Sequence, residues 1–317
     1  MATTKASSGR AVGIVGVGRM GLSMCTRLAE QGFDVIATDV RPGTRPAVIS
    51  AGAQWAGSLT QIAAGRKVVI TVLPGPSEVS AICAPLTAAL SPGSTWIDMS
   101  TATPRVAREV ARSAAAHSVR ALDAPVGGGP VEAREGRLLA FVGGSSEHLL
   151  SQREVLDTLT ERVLHVGAAG SGYAVKLLVN LLWFGQAVAT AEALSIAVRA
   201  GLDPETVRHA VQQSAAASRF MEHDAPALMR GEDLTSFSLA RCVEELAGVL
   251  NLGSELDVPL ALGERVTEIY AEALDHFGDV DGELLAARRV TEQAGVAFVP
   301  PVAGTQAPGA VTPAPSV

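Results

Sequence analysis

One short stretch, Gly13-Ile14-Val15-Gly16-Val17-Gly18-Arg19-Met20-Gly21, constrains this chain more than any other. The apolar run from Ala11 to Val15 predicts a strand that ends in Gly16-x-Gly18-x-x-Gly21. A helix over 22–31 follows, then a second strand over 34–38 that ends at Asp39. Strand, glycine turn, helix and strand in this order are the setting in which such a motif cradles a dinucleotide. Gly16 makes the tight turn, Gly18 lets a pyrophosphate approach the backbone, and Gly21 lets helix and strand pack closely. Val17, Arg19 and Met20 complete the loop, and the helix start offers unpaired N–H groups and positive dipole to the phosphates. Asp39 lies eighteen residues after Gly21. A carboxylate there accepts the hydroxyls of an adenosine ribose and repels a 2′-phosphate, so NAD is the expected cofactor. Val40 and Arg41 share this strand end, and Arg41 keeps NADP open.

The alternation continues beyond Asp39. Strands are predicted at 67–73, 95–98, 120–122, 138–142 and 162–166, with helices at 77–90, 103–117 and 146–159. Thr103 caps the second of these helices and Pro104 takes its first position. Apolar strands alternating with helices imply a mostly parallel sheet covered on both faces. After Gly167 no strand is expected. Residues 172–200 form one helical pattern, about 40 Å long at 1.5 Å per residue. It is apolar on most sides, which predicts burial all round. Asp203-Pro204-Glu205 starts the next helix, and others are expected at 222–229, 237–252, 262–277 and 281–294. The fold class is α/β. A disordered arm (1–9) leads into an N-terminal Rossmann dinucleotide-binding domain (10–167). A C-terminal all-α domain (168–297) serves substrate and oligomerisation, and a proline-rich disordered tail (298–317) ends the chain. The active site is expected in the cleft between the two domains.

Composition fits this plan. Of 317 residues 48% are hydrophobic but only 4% aromatic, so the core is built of Ala, Val and Leu. The net charge of -7 argues against a nucleic-acid surface. Cys25, Cys83 and Cys242 are scattered and odd in number, as free thiols of a cytoplasmic protein are. Met1 to Arg10 lacks the apolar segment of a signal peptide, and no run of 18 apolar residues predicts a membrane span. The six histidines show no metal-ligand spacing.

Three places can carry chemistry. Lys176 and Asn180, at i and i+4, project from one helix face. Val175, Leu177, Leu178 and Val179 surround the lysine, and desolvation disfavours an ammonium, which suits acid–base work. A lysine snorkelling from a helix end is the bland alternative. The turn Gly127-Gly128-Gly129 follows a strand and leaves amides free for an anion; an ordinary flexible turn looks the same. Ser100 and Thr101, after the strand at 95–98, offer hydroxyls to cofactor or substrate. Glu244-Glu245 reads as a solvated helix face.

Together these segments resemble the β-hydroxyacid dehydrogenase family, which includes the 3-hydroxyisobutyrate dehydrogenases, over roughly residues 11–295. The opening G-I-V-G-V-G-R-M-G is the first match. The second is Asp123-Ala-Pro-Val-Gly127-Gly128-Gly129 with Ala133 and Gly136, similar to the family's D-x-P-V-S-G-G-x-x-x-A-x-x-G. Gly170-x-Gly172-x-x-x-Lys176-x-x-x-Asn180 is the third. The resemblance implies hydride transfer between NAD and the hydroxyl-bearing carbon of a β-hydroxy acid or a related alcohol or semialdehyde. It makes Lys176 the general acid/base and Asn180 the group that holds the substrate oxygen or carboxylate. Leu73, Pro74 and Thr101 then face the nicotinamide half of the cofactor, Ser100 and Gly127–Gly129 line the substrate, and the enzyme is a homodimer or homotetramer built through the long helix. Two departures stand out. The family's serine in S-G-G is Gly127 here, and its Lys-Asp pair after the F-x-L segment is Glu244-Glu245. An imine reductase and a non-catalytic NAD-binding scaffold are the alternative readings.

Overall fold

The computed structural model describes residues 10–298. The expected arm (1–9) and nearly all of the expected tail (298–317) lie outside the described residues; Phe298, its first residue, packs on a buried cluster of Ala187, Phe220 and Leu284. Nine strands form one sheet: β1 (Ala11–Val15), β2 (Asp34–Thr38), β3 (Gln54–Trp55), β4 (Val68–Thr71), β5 (Thr95–Asp98), β6 (Arg120–Asp123), β7 (Val126–Gly127), β8 (Leu138–Gly143) and β9 (Thr160–Gly167). Their order is β3-β2-β1-β4-β5-β6-β8-β7, with β9 paired to β8. The pairs from β3 to β6 are all parallel. β8 then runs antiparallel to β6 and β7 and parallel to β9. Orientation of this kind is not written in a strand's own apolar pattern.

Because successive strand residues face opposite ways, the sheet has two cores. Val12, Ile14, Val35, Ala37, Ile70 and Ile97 face one; Val15, Ile36, Val69 and Trp96 face the other. Thr103 caps the helix Pro104–Ala116 through the Val106 N–H, as its sequence predicts.

The chain divides into two compact units. One runs to Leu182 and includes Glu244–Gly263; the other comprises Trp183–Val243 and the chain from Glu264. The long helix, Ser171–Arg199, therefore contributes its first turns to one unit and the rest to the other. By length and composition this helix could cross a membrane, but it buries Lys176, Asn180, Ala187, Ala191 and Leu194 in protein. The expectation of burial all round needs correction. Leu178, Leu182 and Ile196 are 51%, 64% and 70% exposed, so one face of the helix has no covering among the described residues. The regions expected as single helices at 146–159 and 222–229 are each two short helices, Ser146–Ser151 with Arg153–Leu159 and Arg219–His223 with Ala225–Met229.

Candidate active site

The glycine loop has the shape its sequence requires. Gly16 adopts φ +92°, and a Cβ there or on Gly21 would overlap backbone oxygens, that of Val72 and that of Gly16 respectively. Gly18 differs: a Cβ on it would meet only the Arg41 guanidinium, at 3.8 Å. It begins the helix Arg19–Glu30 with no side-chain cap and no acidic residue in the first turn. The open backbone beside an uncapped, uncompensated helix start fits a pyrophosphate. Arg19 is exposed and Met20 half-buried at this start. Asp39 ends β2 with its side chain only 5% exposed. One carboxylate oxygen accepts the Val17 N–H at 2.9 Å, and the other accepts both the Arg41 backbone N–H and its Nε–H, each at 2.9 Å. Desolvation works against the ionised form, yet the Arg41 hydrogen bonds outweigh it and hold the carboxyl below the usual range. Val40 beside it is 98% exposed.

At the next strand ends the side chains turn inward. Asp98 and Asp123 are paired in register across β5 and β6, and both are buried. Asp98 accepts the Ser100 N–H at 2.9 Å and the Tyr173 hydroxyl at 2.6 Å. Asp123 accepts the N–H of Gly170 at 2.9 Å and that of Tyr173 at 3.2 Å. Burial raises both acids, that of Asp123 to about 6, against the lowering effect of these hydrogen bonds. The two carboxylates thus grip the start of the long helix by its backbone and by Tyr173. Glycines make the grip possible: a Cβ on Gly172 would lie 2.8 Å from Asp123 Oδ2, and one on Gly143 2.6 Å from both carboxylate oxygens.

Lys176 follows Tyr173 by about one turn. It is 8% exposed, and among the described residues its ammonium has no hydrogen-bond or ion-pair partner. Asn180, 7% exposed, lies one turn further on the same face and donates through Nδ2 to Glu245, itself 6% exposed. A solvated face was expected at Glu244-Glu245. The structure exposes Glu244 but buries Glu245, because Glu245 shares the helix side of the buried Cys242 and Val249. That three- and four-residue spacing is the signal by which the sequence shows Glu245 facing inward. Asp98 was likewise missed; a carboxylate at the carboxyl end of a central strand is its only sequence mark.

Two further expectations change. The Ser100 hydroxyl accepts the Leu73 N–H at 2.9 Å and is buried, so it fixes the loop that carries Leu73 and Pro74. In the Gly127–Gly129 turn, the Gly129 N–H donates to the Glu132 carboxylate at 2.9 Å, and Gly127 lies in the β7–β8 ladder. The turn therefore offers fewer free amides to an anion than three glycines suggest, with Gly128 exposed at its tip. Thr101 and Leu73 are half-buried and Pro74 is exposed. No group of three or more metal-ligating side chains occurs among the described residues. The glycine loop, Asp39, Asp98, Asp123, Lys176, Asn180 and Glu245 all belong to the first compact unit.

Known proteins are similar to this chain in sequence and fold. Residues 11–167 match the family described as the NAD binding domain of 6-phosphogluconate dehydrogenase, and 170–288 that described as NAD-binding of NADP-dependent 3-hydroxyisobutyrate dehydrogenase. The chain is 31% identical over 263 residues to 2-(hydroxymethyl)glutarate dehydrogenase of Eubacterium barkeri, covering 82% of this chain and 87% of that one. The structure of Mycobacterium tuberculosis 3-hydroxyisobutyrate dehydrogenase with L-serine superposes with a TM-score of 0.82 at 28% identity, over 88% of this chain and 99% of that one. An imine reductase from Myxococcus stipitatus, in complex with NAD+, shares the fold at a TM-score of 0.61 and 17% identity, over 89% of this chain and 99% of its own.

Proposed function

The chain belongs to the β-hydroxyacid dehydrogenase family of NAD(P)-dependent oxidoreductases acting on CH–OH groups, and on that premise we propose that Lys176 is its general acid/base. One observation carries the reading: a lysine whose side chain is largely buried and whose amine has no hydrogen-bond or ion-pair partner among the described residues. With no protein partner of its own, the amine is available to a substrate oxygen. When bound, the nicotinamide accepts or returns a hydride at the carbinol carbon. In oxidation the unprotonated Lys176 amine takes the hydroxyl proton; in reduction its ammonium gives the proton back. Asn180 orients the substrate oxygen. Asp98 and Asp123 set the helix that carries both. Gly128 and Thr101 line the substrate and nicotinamide ends, and Ser100 acts by holding the Leu73 loop.

NAD is the preferred cofactor in this reading, because the Asp39 carboxylate stands where a 2′-phosphate would come. The substrate is a small β-hydroxy acid or related alcohol, with L-serine among the compounds to try, since the M. tuberculosis relative is described with it. The enzyme works as a homodimer or homotetramer, and the absence of a disulfide at Cys25, Cys83 and Cys242 suits the cytoplasm.

The test is a panel of hydroxy acids, semialdehydes, L-serine and a cyclic imine, with NAD(H) and NADP(H), for wild type and Lys176→Ala. Wild type turns over a hydroxy acid or semialdehyde, and the variant loses about 10²–10⁴-fold in kcat while still binding NADH. Equal turnover by the two proteins removes Lys176 from the chemistry. Turnover of the imine alone, or NADH binding without turnover of any compound, replaces the dehydrogenase reading by one of its alternatives.

A further inference from the structure

We propose that Glu245 is a positioning residue: its carboxylate fixes the side-chain amide of Asn180 so that Oδ1 is the atom turned toward the substrate hydroxyl beside Lys176. The inference rests on the reading of Lys176 and Asn180 as the reacting pair. It starts from packing. The helix Leu239–Glu255 lies against the long helix, with Gly248 so close that a Cβ there would sit 3.4 Å from Leu177 Cδ2. Three residues earlier on the same face, Glu245 meets Asn180, three residues after Leu177. The two contacts run in opposite chain directions, so the helices are antiparallel here, and the missing side chain at 248 is what brings the carboxylate into reach.

The chemistry of the pair then decides the amide's orientation. An asparagine amide has a donor end and an acceptor end of nearly the same shape. An ionised glutamate has only acceptors. In the structure Asn180 presents Nδ2 to the Glu245 carboxyl, and Oδ1 is left on the other side. Helical side chains lean toward the helix N-terminus, which here is the Lys176 side. Asn180 therefore meets the substrate as an acceptor for an O–H. It holds the reacting hydroxyl, and a substrate carboxylate is not its partner. Burial of both side chains removes the water that would otherwise let the amide turn.

A merely structural glutamate and an orienting one respond oppositely to conservative change. Gln at 245 keeps the size, but it can offer either a donor or an acceptor, so it frees Asn180 to take both orientations. Asp keeps the acceptor-only end and loses one methylene. Orientation predicts that Glu245→Gln lowers kcat about tenfold with the KM for dinucleotide unchanged, and that Glu245→Asp retains more kcat than Glu245→Gln. A packing role predicts the reverse order, and that order overturns the proposal.

A double-mutant cycle completes the test. In an Asn180→Ala background Glu245→Gln causes no further loss of kcat; an equal loss in both backgrounds overturns the proposal, as does wild-type turnover by Asn180→Ala, since nothing would then be positioned. The side-chain amide resonance of Asn180, identified by its disappearance in Asn180→Ala, shifts in Glu245→Gln; an unchanged resonance is an equally adverse result. Lys176→Ala judges the acid/base reading separately, because neither the resonance nor the Gln-against-Asp order depends on which group moves the proton.

Discussion

The Asp123 carboxyl serves two opposed demands. It is buried, which favours the protonated acid, and it accepts backbone N–H groups at a helix start, which favours the carboxylate. Burial wins, and the acid stands at about 6 against an ordinary 3.8. The folded chain thus binds this proton more tightly than the unfolded chain. The resulting stabilisation is complete below the ordinary value and is lost as pH rises through about 6. About two units at 1.36 kcal/mol each make this of the order of 3 kcal/mol. Asp98 shifts in the same direction. Carboxylates held low, such as Asp39, lose their contribution only in more acid solution. Melting followed by circular dichroism should therefore show Tm rising as pH falls from about 7.5 to 5.5, and Asp123→Asn should flatten the rise. A second residue-scale prediction concerns the cofactor. Asp39→Asn keeps an acceptor for the Val17 N–H, removes the charge expected to face the ribose and frees Arg41. The ratio of kcat/KM for NADP to that for NAD should rise by about tenfold, roughly 1.4 kcal/mol. A ratio that stays constant would mean that Asp39 does not choose the cofactor. The position of Asp39 just after β2 could be read from the sequence because it lies at a set distance from the glycines. Glu245 could not be read so easily, since its meaning lies in a contact with Asn180, sixty-five positions away.

At the scale of elements, the long strands and helices were legible because each repeats its period several times. β1, β2 and β5 fall where their apolar runs place them. The helices Arg45–Ser50, Leu59–Ala63 and Pro130–Glu135 and the two-residue strands β3 and β7 were not. One or two turns give too few repeats to reveal a face, and such elements form because the chain around them is already packed. The start of the long helix depends on its neighbours in the same way. Gly172 sits where a Cβ would overlap the Phe141 carbonyl and press on Asp123. Gly172→Ala should cost about 1–3 kcal/mol, visible as a lower urea midpoint. It should lower kcat as well, because Lys176 rides on the displaced turn. Loss of stability with kcat intact would show that the lysine's position is set from elsewhere along the helix.

For the whole molecule, the exposed face of the long helix is the feature that the chain alone leaves unexplained. Leu178, Leu182 and Ile196 fall on one side: the first two are four residues apart, and eighteen residues, five full turns, separate Leu178 from Ile196. Gly185 and Ala189 lie between them and add no bulk. An apolar stripe of this length on a helix whose other side is core is expected to meet a second copy, and its small central residues would let a second helix come close. In a twofold pair each copy covers the other with the same patch. Leu182 is 64% exposed, so an arginine there barely touches the fold of one chain, yet it places an unpaired charge inside the pair. Light scattering should find wild type at two or four times the 32.5 kDa of one chain and Leu182→Arg at a single chain, with the circular dichroism of the two alike. Wild type at 32.5 kDa, or a variant that still assembles, would leave the stripe without this role.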